Sequence, residues 1–374
     1  MNIYNLLVRY RSTFLTVFIF FLLFELVIVT TVKYKEGEDT AAFLEFKAKE
    51  LHTQVRMGQH YLGLIAKVLY DNVIYSPDTA ELIYKASQTH DLQKQALLRA
   101  QLYKKYEKDY EYMKTLGVRQ LHFHLPEAIS FLRFHRPTKF GDSLAGVRES
   151  IIYVNRYQKP LECFEEGRIF NGFRHVYPIF YNKQFVGTVE ISYSFRAFLE
   201  HMLEINKDAS YLFLVNDSVI ADKVFQSEKN NYMRSAFEHY SIDKKTLNNR
   251  MGLSLNEIFD INKKIAQEVS EKLLDKEEFT VAAHVGDLQN RSVIASFIAV
   301  RNFNKKKVAY MVGYNYSITL DIIHKRSAQI LMLLSVLNVI VSLLIFFLLK
   351  AQNRAGFTGG YTGSIDKNTQ QAWI

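Results

Sequence analysis

Four side chains suited to polar chemistry crowd into residues 118–151, VRQLHFHLPEAISFLRFHRPTKFGDSLAGVRESI. They are His122, His124, Arg133 and His135. Around them, Leu121, Phe123 and Leu125 alternate with the first two imidazoles, and Leu132 and Phe134 with Arg133 and His135. An arginine forks onto a carboxylate or phosphate, and a neighbouring imidazole donates a further hydrogen bond. The stretch therefore reads as part of a binding site for a small anion. Two other readings attach to the same residues. His-x-His with a third histidine nearby is a zinc pattern, but the hairpin offers no carboxylate at a matching position; Glu190 supplies one only if the sheet order brings it close. Alternatively, the polar face is the solvated side of a sheet.

The elements that must hold these residues follow from period-two alternation, which predicts two half-buried strands with Pro126 between them. Pro137 breaks the chain, and Asp142 or Ser143 is placed to cap a helix running to about Tyr153. A second hairpin, residues 176–181 and 185–193 around Asn182-Lys183, faces the first. It adds Arg174 and Tyr177 as second-rank ligand candidates.

Upstream, residues 13–32 form a run of about 20 mostly apolar residues, enough for a helix to cross a bilayer. Arg9 and Arg11 before it put the N-terminus in the cytoplasm. The run is longer than the apolar core of a cleaved signal peptide, so it reads as an anchor. Glu25 inside it is expected to face a partner helix or to stay protonated. A second apolar run, 330–349, is followed by Lys350 and Arg354, and Ser335, Asn338 and Ser342 share one face of it. Between the runs, residues 33–74 read as one long helix. Leu44, Ala48, Leu51, Val55, Gly58, Leu62, Ile65 and Leu69 form a seam on it, either a dimer contact or a stripe against the chain's own domains. Ser76 caps the next helical stretch, and Asn256 is a candidate cap for a later helix.

The hairpin pattern then recurs, with strands at 211–215, 279–285, 293–300 and 308–314. In both halves a Tyr-Ser pair (Tyr193-Ser194 and Tyr316-Ser317) separates the final strand from an outgoing helix. The predicted fold is α+β: two tandem modules with antiparallel sheets on a long N-terminal helix, flanked by two transmembrane helices. The expected divisions are 1–12 cytoplasmic, 13–33 transmembrane, 34–75 stalk, 76–195 membrane-distal module, 196–317 membrane-proximal module, 318–329 outgoing helix, 330–349 transmembrane and 350–374 cytoplasmic tail.

Composition narrows the function. The net charge is +9, but Lys and Arg are scattered among acids, so nucleic acid is not an expected partner. One cysteine, Cys163, excludes an intrachain disulfide and a Cys-based zinc cluster. Neither a nucleophile elbow, a zincin motif nor a phosphate-cradling glycine loop is present. No catalytic residue, metal or cofactor is expected, and an envelope enzyme is a distant third reading.

The residues FHLP…SFLRFHRPTKFGDSL…R at 123–148, the spacing of Gly167, Arg168, Gly172 and Arg174, and Gly187-Thr188-Val189-Glu190 resemble the double-Cache extracytoplasmic sensors of bacterial chemoreceptors, histidine kinases and diguanylate cyclases. The resemblance covers roughly residues 33–327. It implies two stacked PAS-like modules, with a small ligand held in the membrane-distal one. Arg9, Arg11, Lys350 and Arg354 on the inner flanks of the two runs put the domain between them outside the cytoplasm; the expected location is the bacterial inner membrane, and a homodimer is expected. Amino-acid-binding members carry a tryptophan in their ligand set; the single tryptophan here is Trp373, in the tail, so that specificity is not implied. No kinase, cyclase or methyl-accepting segment follows Leu349. The expectation is a sensor fragment, or a receptor signalling through a separate cytoplasmic partner. The alternative is a receptor-like accessory protein whose outer domain binds another protein.

Overall fold

The computed structural model describes residues 3–167, 171–247, 252–285 and 291–362. Two compact units emerge. One is Leu44–Ser317; the other comprises the described parts of residues 1–43 and 318–374.

In chain order the elements begin with α1 (Ile3–Leu69), which ends in a π-helical turn at Tyr70–Ile74. There follow α2 (Pro77–Gln88), α3 (Leu92–Thr115), β1 (Val118–Leu125), β2 (Ile129–Arg133), α4 (Glu149–Tyr157), β3 (Leu161–Glu165), β4 (Gly172–Tyr181), β5 (Gln184–Ser194) and α5 (Phe195–Ile205). The second half holds β6 (Ser210–Asn216), α6 (Asp217–Lys223), β7 (Tyr232–Arg234), β8 (Tyr240–Asp243), α7 (Leu255–Asp275), β9 (Glu278–Val285), β10 (Arg291–Arg301), β11 (Lys307–Tyr316) and α8 (Ile318–Thr362).

Local chemistry explains the boundaries. The Ser76 side chain accepts from the Thr79 amide ahead of Pro77, so a serine cap and a first-turn proline start α2 together. Ser194 accepts from the Ala197 amide and turns β5 into α5. Asn182 and Lys183 both have positive φ, which suits the right-handed twist of a two-residue hairpin between β4 and β5. Two expected caps are corrected. Asn256 does not start α7; Ser254 does, in a reciprocal capping box with Glu257. No helix starts at Asp142 or Ser143. Gly141 and Gly146 adopt positive φ, the chain stays irregular, and α4 begins only at Glu149.

The two sheets repeat one topology. The first has strand order β2-β1-β5-β4-β3. The second has β7-β8-β6-β11-β10-β9, the same order in its own strands with β7 added at one edge. The two Tyr-Ser pairs do fall at the junction of each final strand with its outgoing helix, Tyr193 and Ser194 as the last residues of β5 and Tyr316 as the last of β11. Their side chains are offset by one: Val312 and Tyr314 face away from α1, whereas Val189 and Ile191 face the core beneath it.

That core lies under the part of α1 within the larger unit. Leu51, Val55, Leu62, Ala66 and Leu69 bury against both sheets. A Cβ at Gly58 would sit 2.8 Å from the Phe198 ring, so the glycine lets α1 and α5 touch. The seam read on this helix is thus consumed within the chain, not by a second copy.

In the smaller unit, α1 and α8 are long and apolar enough to cross a membrane. Asn338 Nδ2 donates to Glu25 Oε2 at 3.0 Å and to the Phe21 carbonyl at 3.2 Å, and Ser335 Oγ donates to Glu25. Glu25 and the polar face of the second run thus find each other.

Candidate functional site

Each sheet has one face toward α1 and one turned away. In the second sheet the outward face is apolar: Leu212, Leu214, Val312, Tyr314 and Phe297 pack with Ile258, Ile261 and Ile265 of α7. In the first sheet the same face is polar. Alternation places His122 and His124 there, while Leu121 and Phe123 join the core on the other side. Strand order adds the rest: His122 pairs with Glu190 across β1 and β5, and Arg174 with Ser192 across β4 and β5.

These groups are buried under α4 and the segment leading to it. Side-chain exposure is 2% for Arg174 and 0% for Glu190. Arg148, the residue just before α4, directs its guanidinium inward. Its Nε donates to Glu165 Oε2 at 2.7 Å and its Nη2 to Glu190 Oε2 at 2.8 Å. Arg174 Nη1 donates to Glu190 Oε1 at 3.1 Å, Gln120 Oε1 at 2.9 Å and Ser192 Oγ at 3.2 Å. Glu165 also accepts from the Ser150 amide at the start of α4, where a carboxylate suits the helix dipole.

Burial would raise the Glu190 carboxyl, but Arg148 and Arg174 outweigh it and hold it well below the carboxylate range. Burial likewise opposes the charge on Arg148, and Glu190 and Glu165 overcome it. At the imidazoles burial prevails, although Glu190 opposes it at His124 and His135. Burial pushes His124 down to about 3 and His135 to about 4, and holds His122 well below its usual value with His124 adding to the effect. All three are neutral at pH 7. His122 Nε2 and Ser130 Oγ lie 2.9 Å apart, as do His124 Nδ1 and Thr188 Oγ1, while His124 Nε2 has no hydrogen-bond partner.

Above this floor lies a cavity of about 660 Å³. Arg119, Arg133, Arg136, Lys139, Arg148 and Arg174 line it, with Gln120 and His135. Asp142 is the one carboxylate on its wall among the described residues. It takes Arg133 with both oxygens, at 2.7 and 2.8 Å. A second cavity, of about 520 Å³, lies among α1, β3, β4, β9 and β10, where Arg301 pairs with Glu277 and His52 with Glu278.

Of the residues expected at the site, Arg133, His135 and Arg174 line the basic cavity, and His122 and His124 lie buried on the same face of the sheet. Tyr177 does not join them. It stands three residues from Arg174 on a strand, hence on the opposite face, where its ring stacks on Tyr70 at 4.4 Å. The face is not the solvated side of the sheet: His122, His124 and Glu190 are all buried, because the chain between β2 and α4 folds over them. Arg168 lies outside the described residues, as does Trp373. Sequence reasoning missed Arg148, Glu165, Arg136, Lys139 and Gln120 as site residues, and raised Glu190 only as a candidate metal ligand; Arg148 and Glu190 did stand in the motifs that carried the family resemblance.

The sheet order does bring Glu190 to the histidines. His122, His124 and Glu190 offer ligand atoms within 4.8 Å of one another. Yet both Glu190 oxygens are held by guanidinium groups, so a divalent cation there would sit among like charges. The donor set suits an anion above it better than a metal within it.

Residues 95–263 match the family model dCache_3, the double sensory domain of two-component sensor kinase. Over that stretch this agrees with the double-Cache resemblance. No curated protein matches the sequence. Among solved structures, the sensory domain of the Campylobacter jejuni chemoreceptor Tlp3 with isoleucine bound is similar at 10% identity and TM-score 0.40, over 79% of this chain and 98% of that one. The sensor domain of the V. cholerae histidine kinase DctB is similar at 14% identity and TM-score 0.31, over 73% and 98%. An extracellular ligand binding receptor from Desulfohalobium retbaense is similar at 11% identity and TM-score 0.35, over 70% of this chain; the chain spans 39% of that receptor's length.

Proposed function

We propose that this chain, matched over residues 95–263 to the double sensory domain of sensor kinases, is a membrane-anchored sensor that binds a small anion in its first module and passes the signal across the bacterial inner membrane. One observation carries the reading. Where the second sheet presents an apolar, filled face, the first presents a cavity walled, among the described residues, by five arginines and a lysine against a single carboxylate. Desolvated guanidinium groups bind carboxylate or phosphate oxygens strongly and in a fixed geometry. The module of residues 76–195 is the ligand-binding one, and 196–317 supports it. Arg133, Arg174, Arg136 and Lys139 contact the anion; Arg148, Glu190, His122 and His124 hold the floor in shape.

Transmission goes through the two apolar helices that flank the domain, α1 and α8, to a cytoplasmic partner, and the sensor works as a homodimer. A small displacement of packed helices is enough to carry such a signal. A thermal-shift screen of the full-length chain in detergent against small carboxylates, phosphates, amines and neutral sugars tests the binding step. A ligand that binds the native state raises the melting temperature. Anions are expected to give the shifts; shifts confined to cations or neutral compounds contradict the reading.

A further inference from the structure

Asp142 commits both carboxylate oxygens to Arg133, whose Nη1 also donates to the Lys139 carbonyl at 3.0 Å. The two partners are unequal. The Arg133 side chain is 12% exposed and that of Asp142 is 53% exposed. A largely buried guanidinium is costly to leave without an anion, whereas a half-exposed carboxylate is readily rehydrated. Replacing one anion by another at Arg133 is therefore nearly balanced.

The surrounding segment does not depend on the Asp142 side chain. The Gly141 amide donates to the Ser130 carbonyl at 2.7 Å, the Ser130 amide to the Asp142 carbonyl at 3.0 Å, and the Leu144 amide to the Ala128 carbonyl at 2.9 Å. The Arg99 guanidinium lies 3.5 Å from the centre of the Phe140 ring. None of these contacts uses the Asp142 carboxylate.

We propose that Asp142 is a built-in competitor for the cavity's anion: its carboxylate occupies Arg133 in the unliganded chain and gives that guanidinium up to the incoming carboxylate or phosphate. The inference rests on the anion-binding reading above and adds what sets its threshold. An anion that presents two oxygens to the guanidinium fork matches the bond it displaces; one that offers a single oxygen does not. Asp142 thus selects as well as competes.

The test is calorimetric titration of the full-length chain in detergent with inorganic phosphate and with malonate. Wild type is compared with Asp142→Asn, Asp142→Ser and Arg133→Ala, each checked for an unchanged melting temperature. Removing the competitor is expected to tighten binding about 3- to 10-fold, in the range of a well-formed exposed ion pair. Arg133→Ala is expected to weaken it, and Asp142→Ser added to Arg133→Ala to give no gain. Binding to Asp142→Asn with none to wild type also supports the proposal. Wild-type binding that is unchanged or weakened in both Asp142 variants overturns it while leaving the anion reading intact. If neither wild type nor the Asp142 variants bind either probe, the anion reading fails, and this inference with it.

Discussion

His122 on β1 stands directly across from Glu190 on β5, and the Glu190 carboxylate joins Arg148 and Arg174 from two other parts of the chain. One buried acid thus bridges two guanidinium groups that bound the cavity, and Glu165 supplies the second negative charge. Glu190→Leu removes the carboxylate from Arg174 and leaves Arg148 with Glu165 alone. Breaking one side of a buried ion pair costs about 3–5 kcal/mol. The expected loss in denaturant unfolding is of that size, and adding Arg174→Met should recover part of it. A loss under about 1 kcal/mol would contradict the network.

The neutral histidines make stability depend on pH. In the folded chain His124 titrates near 3 and His135 near 4, against about 6.5 when unfolded. Between about pH 6.5 and 4 the unfolded chain binds more protons, so stability falls as pH drops through that window. Carboxylates such as Glu190 act below about pH 4.5, which leaves pH 7 to 5 as the histidine range. Melting temperature should fall across that range, and His135→Gln should flatten the slope. A flat wild-type profile would refute the neutral assignment.

The same shifts bear on ligand binding. Weaker anion binding as pH rises through the imidazole range is the simple expectation from sequence. With the imidazoles already uncharged at pH 7, the cavity's charge is carried by arginine and lysine. Affinity for a carboxylate that is fully ionised throughout is therefore expected to be constant between pH 6 and 8. A tenfold fall over that span would show that an imidazolium takes part.

Gly187 sits where β5 passes β1. A Cβ there would lie 2.2 Å from the His124 carbonyl oxygen, a backbone atom with little room to yield. Gly187→Ala should destabilise the chain by about 2–3 kcal/mol and reduce binding by disturbing His124 and Thr188. A stable variant with normal binding would show that the two strands are further apart.

Much of the fold was legible because alternation and capping are local. Leu121, Phe123 and Leu125 against His122 and His124 marked β1, and Ser76-Pro77 marked the start of α2. The site was legible only in part. Arg148, Glu165 and Glu190 acquire their roles from the tertiary fold, which brings Arg148 onto carboxylates 17 and 42 residues away, contacts that no short window contains. Burial of the histidine face depends on the irregular segment between β2 and α4, whose two glycines with positive φ carry no periodic signal. Tyr177 is a different matter: its odd spacing from Arg174 already puts the two on opposite faces of a strand. The short β3, β7 and β8 strands lie outside any clear alternating run.

The central claim is that the arginine-walled cavity binds a small anion, and the exposed rim tests it with the least risk to folding. Arg136 and Lys139 form no ion pair among the described residues and stand at the surface. The measurement is calorimetric titration of the full-length chain in detergent with the carboxylate or phosphate that gives the largest thermal shift, for wild type and for Arg136→Ala/Lys139→Ala. Saturable binding to wild type, weakened about tenfold or more in the variant at unchanged melting temperature, is the predicted result. Equal affinity in both proteins, or no anion bound by either, would contradict it.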